Sequence, residues 1–504
     1  MAQGLLSFQY EEEKSAGGMT ALGGLPLYVE LMAAMKIGKQ IEREVALRKE
    51  QGWSNASIIE TLVLLNIAGG ESVDDLQQLE GDEGFVRCLK KLTQRERRKM
   101  EKRWRKSCKR GIPSPSAVFR YLSEFHEEEE EGRRQAEGLG KAFIPKANRH
   151  LEGLYRVNSR IVEYVQKQKF MKTATLDQDA TLVETNKAEA LYGYKHFKAY
   201  QPLNTYWSEN GLLLHSEFRD GNVPAGYEQV RVLQEALEYL PAGVEKIYLR
   251  SDTAGYERKL LKYCAEGKNE RFGVIEFAIG ADVNPAFKQA VAEVPEREWQ
   301  PVRKEAGAKW VETGQEWAEV CHVPQWAGYS KKGPGYRYIA IREKMEQLEI
   351  PGVEKAEAEL PFQTLEFGEQ GRYKLFGMVT NRTLPGEELI RWYRERCGKS
   401  EEAHSIMKED LGGGRLPSGA FGANAAWWAI MVLAFNVQRV MQQLVLGGEW
   451  LTRRMKAVRF GLIHVAGRVL EHGRELIIRL SHKHPAMAIF LAGRRQMMQM
   501  AASG

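Results

Sequence analysis

The hydrophobic pattern along the chain changes character twice. From about residue 20 to 90, apolar positions recur at helical spacing, and Pro26–Arg48 sets an apolar face against one of Glu, Lys and Arg. Ser54 and Ser72 are placed to cap the next two helices, with Asp75 at the capping-box position relative to Ser72. Ser114-Pro115 opens a further helix, Ser as cap and Pro at the first helical position. The glutamates Glu127 to Glu131 read as a solvated break or linker. From about 170 the period shortens. Thr173–Thr181, Pro202–Trp207 and Leu212–Phe218 read as strands, followed by helix Tyr227–Tyr239, strand Val244–Arg250, helix Tyr256–Ala265 and strand Phe272–Ala278. Such an order predicts a mixed α/β sheet. Residues 285–381 carry Trp299, Trp310, Trp317 and Trp326 and short strand-like runs such as Tyr336–Ile341 and Tyr373–Val379, which predicts an inserted β-rich subdomain. Two helices, Gly386–Leu411 and Ala423–Leu444, are expected after Pro385. Val458–Leu480 follows, with Gly467 and Gly473 as turn points.

These changes divide the 504 residues into a helical region (1–130), a linker (131–169), a sheet core (170–284 and 382–446), the β-rich insertion (285–381) and a basic C-terminal region (447–504). Charge adds to the picture because the net of +6 hides a split. Lys90–Arg110 carries a local +10 and Arg453–Arg495 a local +8, which leaves −12 for the rest. Two cationic segments on an acidic body point to a polyanion, most simply nucleic acid. Arg97, Arg98, Arg103 and Arg105 are the expected DNA contacts in the first segment. Ser116, Arg120 and Tyr121, on the helix after Ser114, could enter a groove as a recognition helix does. The alternative there is a packing helix beside a solvated charged one.

Other classes are excluded. Met1–Gly18 lacks a basic stretch before an apolar core and holds Glu11 to Glu13, unlike a signal peptide. The apolar run Ala425–Phe435 is too short for a bilayer and reads as a buried helix, so no membrane partner is expected. Five scattered cysteines without a CxxC pair fit a reducing cytoplasm.

The candidate chemistry lies in carboxylates. Asp177 and Asp179 share one face of a strand, since side chains alternate with period two. Asp252 stands just past the strand ending at Arg250, where sites form in such sheets. Each has a plainer reading: Asp179 could cap a turn, and Asp252 could cap the next helix.

Leu176-Asp177-Gln178-Asp179-Ala180-Thr181-Leu182-Val183-Glu184, Tyr192-Gly193-Tyr194-Lys195 with Pro202-Leu203, Arg219-Asp220-Gly221-Asn222, Arg250-Ser251-Asp252-Thr253-Ala254-Gly255-Tyr256 and Arg396-Cys397-Gly398-Lys399-Ser400-Glu401 follow in order. Together they resemble the DDE transposases of bacterial insertion sequences, most closely the "thirteen-eighty" group, over roughly residues 150 to 445. The resemblance implies an RNase H-like mixed-sheet catalytic core with the inserted β-rich subdomain, preceded by an all-helical DNA-binding region. It implies Asp179, Asp252 and Glu401 as catalytic, metal-ligating acids for two Mg²⁺ ions, with Mn²⁺ able to substitute. In the family signature Tyr-x2-Arg-x3-Glu-x6-Lys, Tyr393, Arg396, Glu401 and Lys408 match, with one extra residue between Arg396 and Glu401. On a continuous helix that residue turns the face by about 100°, so Arg394 could stand in for Arg396, and Glu402 is the fallback acid. Asp177 becomes a neighbour behind Asp179, Lys408 a phosphate contact, and His404 either a DNA contact or a packing residue. The implied activity is cleavage of transposon ends and strand transfer on double-stranded DNA, by a homodimer in the synaptic complex, in the cytoplasm at the nucleoid. The rivals are an RNase H-like nuclease without strand transfer and a catalytically inactive DNA-binding relative. In hairpin-forming relatives an aromatic of the insertion receives a flipped base, a role any of the four tryptophans could take.

Overall fold

The computed structural model describes residues 17–47, 52–93, 110–307, 309–324, 336–345, 360–472 and 475–503. Thr173–Ala180 (β1) lies at the heart of the main sheet, because Ala174 and Leu176 on one face and Thr175 and Asp177 on the other are all buried. Beside it run Leu203–Trp207 (β2) and Leu212–Glu217 (β3) on one side, Lys246–Ser251 (β4) and Glu276–Ala281 (β5) on the other. β1, β2 and β3 are antiparallel neighbours, whereas β1 to β4 and β4 to β5 are parallel. The parallel steps are crossed by helices, Gln229–Glu238 before β4 and Arg258–Ala265 before β5.

Gln300–Ala306 (β6), Lys309–Val320 (β7), Arg337–Lys344 (β8), Thr364–Glu366 (β9) and Arg372–Thr380 (β10) lie in the stretch read as a β-rich insertion and join the core sheet edge-on. β10 pairs antiparallel with β5, Ala281 opposite Gly377, so these strands continue the core sheet to ten. Without them β5 would present an open edge of unpaired backbone groups. Val302, Trp317, Ile339, Ile341 and Met378 make a second small core with Leu389 and Ile390 of the helix Gly386–Arg394.

Helices cover the other edge. Arg149–Gln168 (α1), capped by Asn148, lies where the sequence predicts a linker. The acidic run before it is also helical, Glu128–Glu137, because Arg134 turns inward to meet Asp220 at 3.1 Å. The two crossing helices are α2 (Gln229–Glu238) and α3 (Arg258–Ala265). Gly386–Arg394 (α4) and Lys399–Ser405 (α5) follow the sheet, and Phe421–Val440 (α6) runs through the interior. β3, outermost in the sheet, is satisfied by side-chain amides. Asn436 of α6 accepts from Leu213 N at 2.9 Å and donates to Leu213 O at 2.8 Å, and Asn158 of α1 donates to the same carbonyl at 2.9 Å. The apolar helix from Phe421 extends to Leu446, further than the run counted in the sequence. By length and composition it could cross a bilayer, but it is mostly buried within the protein.

The N-terminal helices pack on this core. Lys36, at φ +58°, breaks the expected Pro26–Arg48 run into Leu25–Ala34 and Ile37–Glu44. Ser54 caps Asn55–Ala68 by accepting from Ser57 N, Ser72 and Asp75 close a capping box, and Ser114 caps Pro115–Ser123. Tyr28 donates to Gln438 of α6 at 2.6 Å. Met19–Thr20 pairs with Gly467–Arg468 of a C-terminal hairpin (Gly467–His472 with Glu475–Leu480), so Gly467 starts a strand rather than a turn; Gly473 lies outside the described residues.

Candidate active site

Parallel pairing of β1 with β4 sets the register of the acids. Asp177 stands opposite Arg250 and Gln178 opposite Ser251, which carries Asp179 alongside Asp252 at the C-terminal ends of both strands. Period two puts Asp177 and Asp179 on one face, and Arg250 and Asp252 on the same face. Asp177 is fully buried in a two-pronged pair with Arg250, Oδ1 to Nε at 2.6 Å and Oδ2 to Nη2 at 2.9 Å. It is therefore closed to any ligand. Burial holds its carboxyl above the usual range even though Arg250 opposes the shift.

Asp179 is the open member. Burial pushes its carboxyl up to about 7; Arg396 opposes the shift, and the nearby charges of Asp252 and Asp177 add to it. Asp252 caps the turn Thr253–Gly255, accepting from Ala254 N at 3.0 Å, so its capping role is real and leaves its other oxygen unused by that bond. Gly280 of β5 lets this turn sit against the sheet, because a Cβ there would lie 2.9 Å from Thr253 N.

The segment after Pro385 is not the continuous helix expected from the sequence. α4 ends at Arg394 and α5 begins at Lys399, with Gly398 at φ +86° between them. The extra residue is absorbed in this break, so counting faces at 100° per residue does not apply. Tyr393 donates to Ser251 O at 3.2 Å, next to Asp252, and Arg396 reaches Asp179 Oδ2 at 3.2 Å. Burial disfavours the Arg396 charge, but Tyr393, Asp179 and Asp252 more than offset this. Arg394, the expected substitute, instead donates to Gln315 of β7 at 2.6 Å and leaves the acids to Arg396.

Glu401 and Glu402 are both exposed on α5. Among the described residues no three of His, Cys, Asp and Glu form a group that could hold a metal ion. His404 packs: Asn204 of β2 meets its Nε2 at 3.1 Å, and burial with Lys408 and Arg396 nearby lowers it to about 4, so it is neutral at physiological pH. Lys408 donates to Leu182 O at 3.3 Å, three residues beyond Asp179.

The expected DNA contacts divide. Arg97, Arg98, Arg103 and Arg105 lie outside the described residues. Arg120 is exposed, its Nε on Ser116 O at 3.2 Å, but Tyr121 is fully buried along with Val118 and Leu122, which rules it out as a groove contact. In the tail, Arg459 donates to Ile67 O and Asn66 O, so part of the +8 segment is structural. Trp299 and Trp317 are buried in the sheet extension; Trp310 is half exposed, with Arg391 over its ring at 4.4 Å; Trp326 lies outside the described residues. Sequence reasoning missed Arg250 and Asn204. An arginine between apolar strand positions and a polar residue in a buried strand were the available signals.

A family model for the transposase DDE domain, group 1, matches residues 11–502. No curated protein matches the chain. Among solved structures, a piggyBac transposase synaptic complex with hairpin DNA, determined by cryo-EM, is similar at 11% identity and a TM-score of 0.39, covering 97% of this chain and 83% of that one.

Proposed function

Since the chain belongs to the transposase DDE domain group 1 family, we propose that it binds the terminal inverted repeats of a mobile element, cleaves its ends and joins the 3′-hydroxyl to target DNA. The observation that carries this reading is the placement of Asp179 beside Asp252 at adjacent strand ends, with Arg396 and Tyr393 closing over them. The strand order β3-β2-β1-β4-β5, with β1 to β3 antiparallel and then two parallel steps, supports an RNase H-like core. In this reading residues 1–130 and 447–504 supply the DNA-binding surfaces.

Two hard-oxygen donors fit a divalent cation, and the raised Asp179 carboxyl marks an incompletely compensated charge that a cation would relieve. Asp179 and Asp252 would hold Mg²⁺, or Mn²⁺ in its place, with Glu401 as third acid and Glu402 in reserve. Two such ions supply activation of water or the 3′-hydroxyl and stabilisation of the leaving oxygen. The protein's own groups do the rest. Arg396 balances Asp179 and can follow a phosphate, Tyr393 fixes the end of β4, and Lys408 holds the segment after β1 and presents charge to the DNA backbone. The partner is double-stranded DNA, the working form a homodimer on paired ends, and the setting the nucleoid of a bacterium carrying an insertion sequence of the "thirteen-eighty" kind.

One observation favours the inactive relative as a second reading: the spacing from Arg396 to Glu401 departs by one residue from the family signature. Pre-cut element ends incubated with a supercoiled plasmid and Mg²⁺ separate the readings. A transposase yields end–plasmid joints, a nuclease only cuts, and an inactive binder does neither; chelation should stop both reactions.

Neutralising Arg97, Arg98, Arg103 and Arg105 together should weaken end binding and reduce the slope of log affinity against log salt by up to about 3.6, at about 0.9 for each phosphate no longer neutralised. Titrations at several salt concentrations measure it, and an unchanged slope would move the DNA surface elsewhere.

A further inference from the structure

The exposed hairpin next to Asp179 has no part in the cleavage chemistry. Leu191–Ala199 turns back on itself through Gly193 N to Phe197 O (2.9 Å), His196 N to Gly193 O (3.0 Å) and Ala199 N to Leu191 O (3.1 Å). His196 sits at φ +61°, a conformation that residues other than glycine rarely adopt. Tyr192 and Tyr194 flank Gly193 and are 64% and 68% exposed. Each ring has an ammonium over it, Lys198 at 5.9 Å and Lys195 at 5.8 Å. Two largely exposed aromatic rings, each with a lysine beside it, form an aromatic and cationic tip.

Its location is set by the fold. Val183, four residues after Asp179, pairs with Tyr200 at the base of the hairpin, and a Cβ on Gly193 would lie 3.4 Å from Leu182. Four residues span at most about 14 Å, so the hairpin base and the acid are neighbours. The base is rigid. Arg134 donates to Glu189 O at 3.2 and 3.3 Å while its Nη1 holds Asp220 at 3.1 Å, and Asp220 bridges to Tyr200. A buried ion pair reaching in from a separate helix thus anchors the base of the hairpin.

We propose that this hairpin is a stacking platform for unpaired bases of the DNA strand beside the bond that is cut, with Tyr192 and Tyr194 receiving bases and Lys195 and Lys198 meeting the flanking phosphates. The inference rests on the transposase reading and deepens it. Aromatic faces stack only on bases whose own faces are open, and stacking combined with a cationic track is how proteins hold single strands without reading sequence. An intact duplex offers its bases no exposed face, so the platform distinguishes an opened end from a closed one.

The test uses the full chain without divalent ion, so that nothing is cut. A duplex oligonucleotide is compared with the same duplex bearing a short single-stranded tail that carries a fluorescent adenine analogue. The unaltered protein should bind the tailed DNA more tightly and quench the analogue. The double variant Tyr192→Ala/Tyr194→Ala should lose at least roughly fivefold on tailed DNA, the lower bound for one base–aromatic stack, and about thirtyfold or more if both rings stack, and retain its affinity for the blunt duplex. Tyr192→Phe/Tyr194→Phe should keep both the binding and the quench. Undiminished binding by the Ala variant, an equal loss on both DNAs, or a Phe variant as weak as the Ala variant would overturn the platform alone. An unaltered protein that binds no DNA would overturn the transposase reading with it.

Discussion

Asp179→Asn should reduce divalent-ion-dependent cleavage of end DNA by roughly a thousandfold or more, the several kcal/mol that a metal-bound carboxylate contributes to the transition state. DNA binding should survive, because the substitution removes no positive charge and Asn keeps the shape of the side chain. Folding should survive too, and this separates a functional from a structural acid. Asp179 has Arg396 as its ion-pair partner, its charge is disfavoured by burial, and Asp252 repels it further. A neutral Asn is easier to accommodate at that position, so the variant should unfold no earlier than the unaltered protein. Asp252→Asn should behave alike in cleavage and also keep its fold, because Asn caps turns as Asp does. Cleavage rates at saturating Mg²⁺ measured beside thermal unfolding check both. Cleavage retained in Asp179→Asn would remove this residue from the centre. The third acid follows from the same assay: if Glu402→Gln loses cleavage and Glu401→Gln does not, the assignment on α5 shifts by one residue.

How much of this was legible in the sequence depended on the range of each interaction. Local signals read well. Ser54, Ser72 with Asp75, and Ser114 with Pro115 act within a single turn, and each caps its helix. The short β-rich runs that mark the strands are equally local, and so is the position of Asp252 just past a strand. Long-range partners were invisible. The glutamates from Glu127 to Glu129 are solvated as read, but they lie at the start of a helix and not in a break, because Arg134 of that helix finds Asp220 86 positions later. The stretch with Trp310 and Trp317 read as an inserted β-rich subdomain, and nothing local shows that β10 pairs with the edge of β5 and joins these strands to the core sheet. The break at Gly398 was hidden among good helix formers. Only a positive φ at 398 shows that the odd spacing between Arg396 and Glu401 is taken up by the backbone and not by rotating a helix. Charge misled in a third way. Counting Arg459 in the basic tail treated as available a guanidinium that holds the C-terminal carbonyls of Asn55–Ala68.

The largest expected loss of stability is at Asp177, two residues from the acid just discussed. Asp177→Ala leaves the buried Arg250 guanidinium with only the exposed Glu395, at 3.3 Å, as a carboxylate partner, and removing the buried partner of such a pair costs about 3–5 kcal/mol. Urea unfolding of Asp177→Ala measures this, and a loss below about 1 kcal/mol would show that solvent reaches Arg250. The double variant Asp177→Leu/Arg250→Met should recover much of the loss, because apolar side chains of similar volume often replace buried pairs without penalty. Recovery of stability should not restore cleavage. Arg250 also donates to Trp392 O at 2.5 Å and to Ser208 Oγ at 3.0 Å, and the first bond ties the last turn of α4 to β4. Tyr393 follows directly on Trp392, and Arg396 lies one turn further, so their hold on Ser251 and Asp179 depends on where that carbonyl is held. A positioning role for the pair therefore predicts a double variant that is nearly as stable as the unaltered protein, binds ends normally and cuts them about ten- to a hundredfold more slowly, the usual cost of removing a group that supports a metal ligand from behind. Unaltered cleavage by that double variant would restrict Asp177 and Arg250 to holding the sheet together.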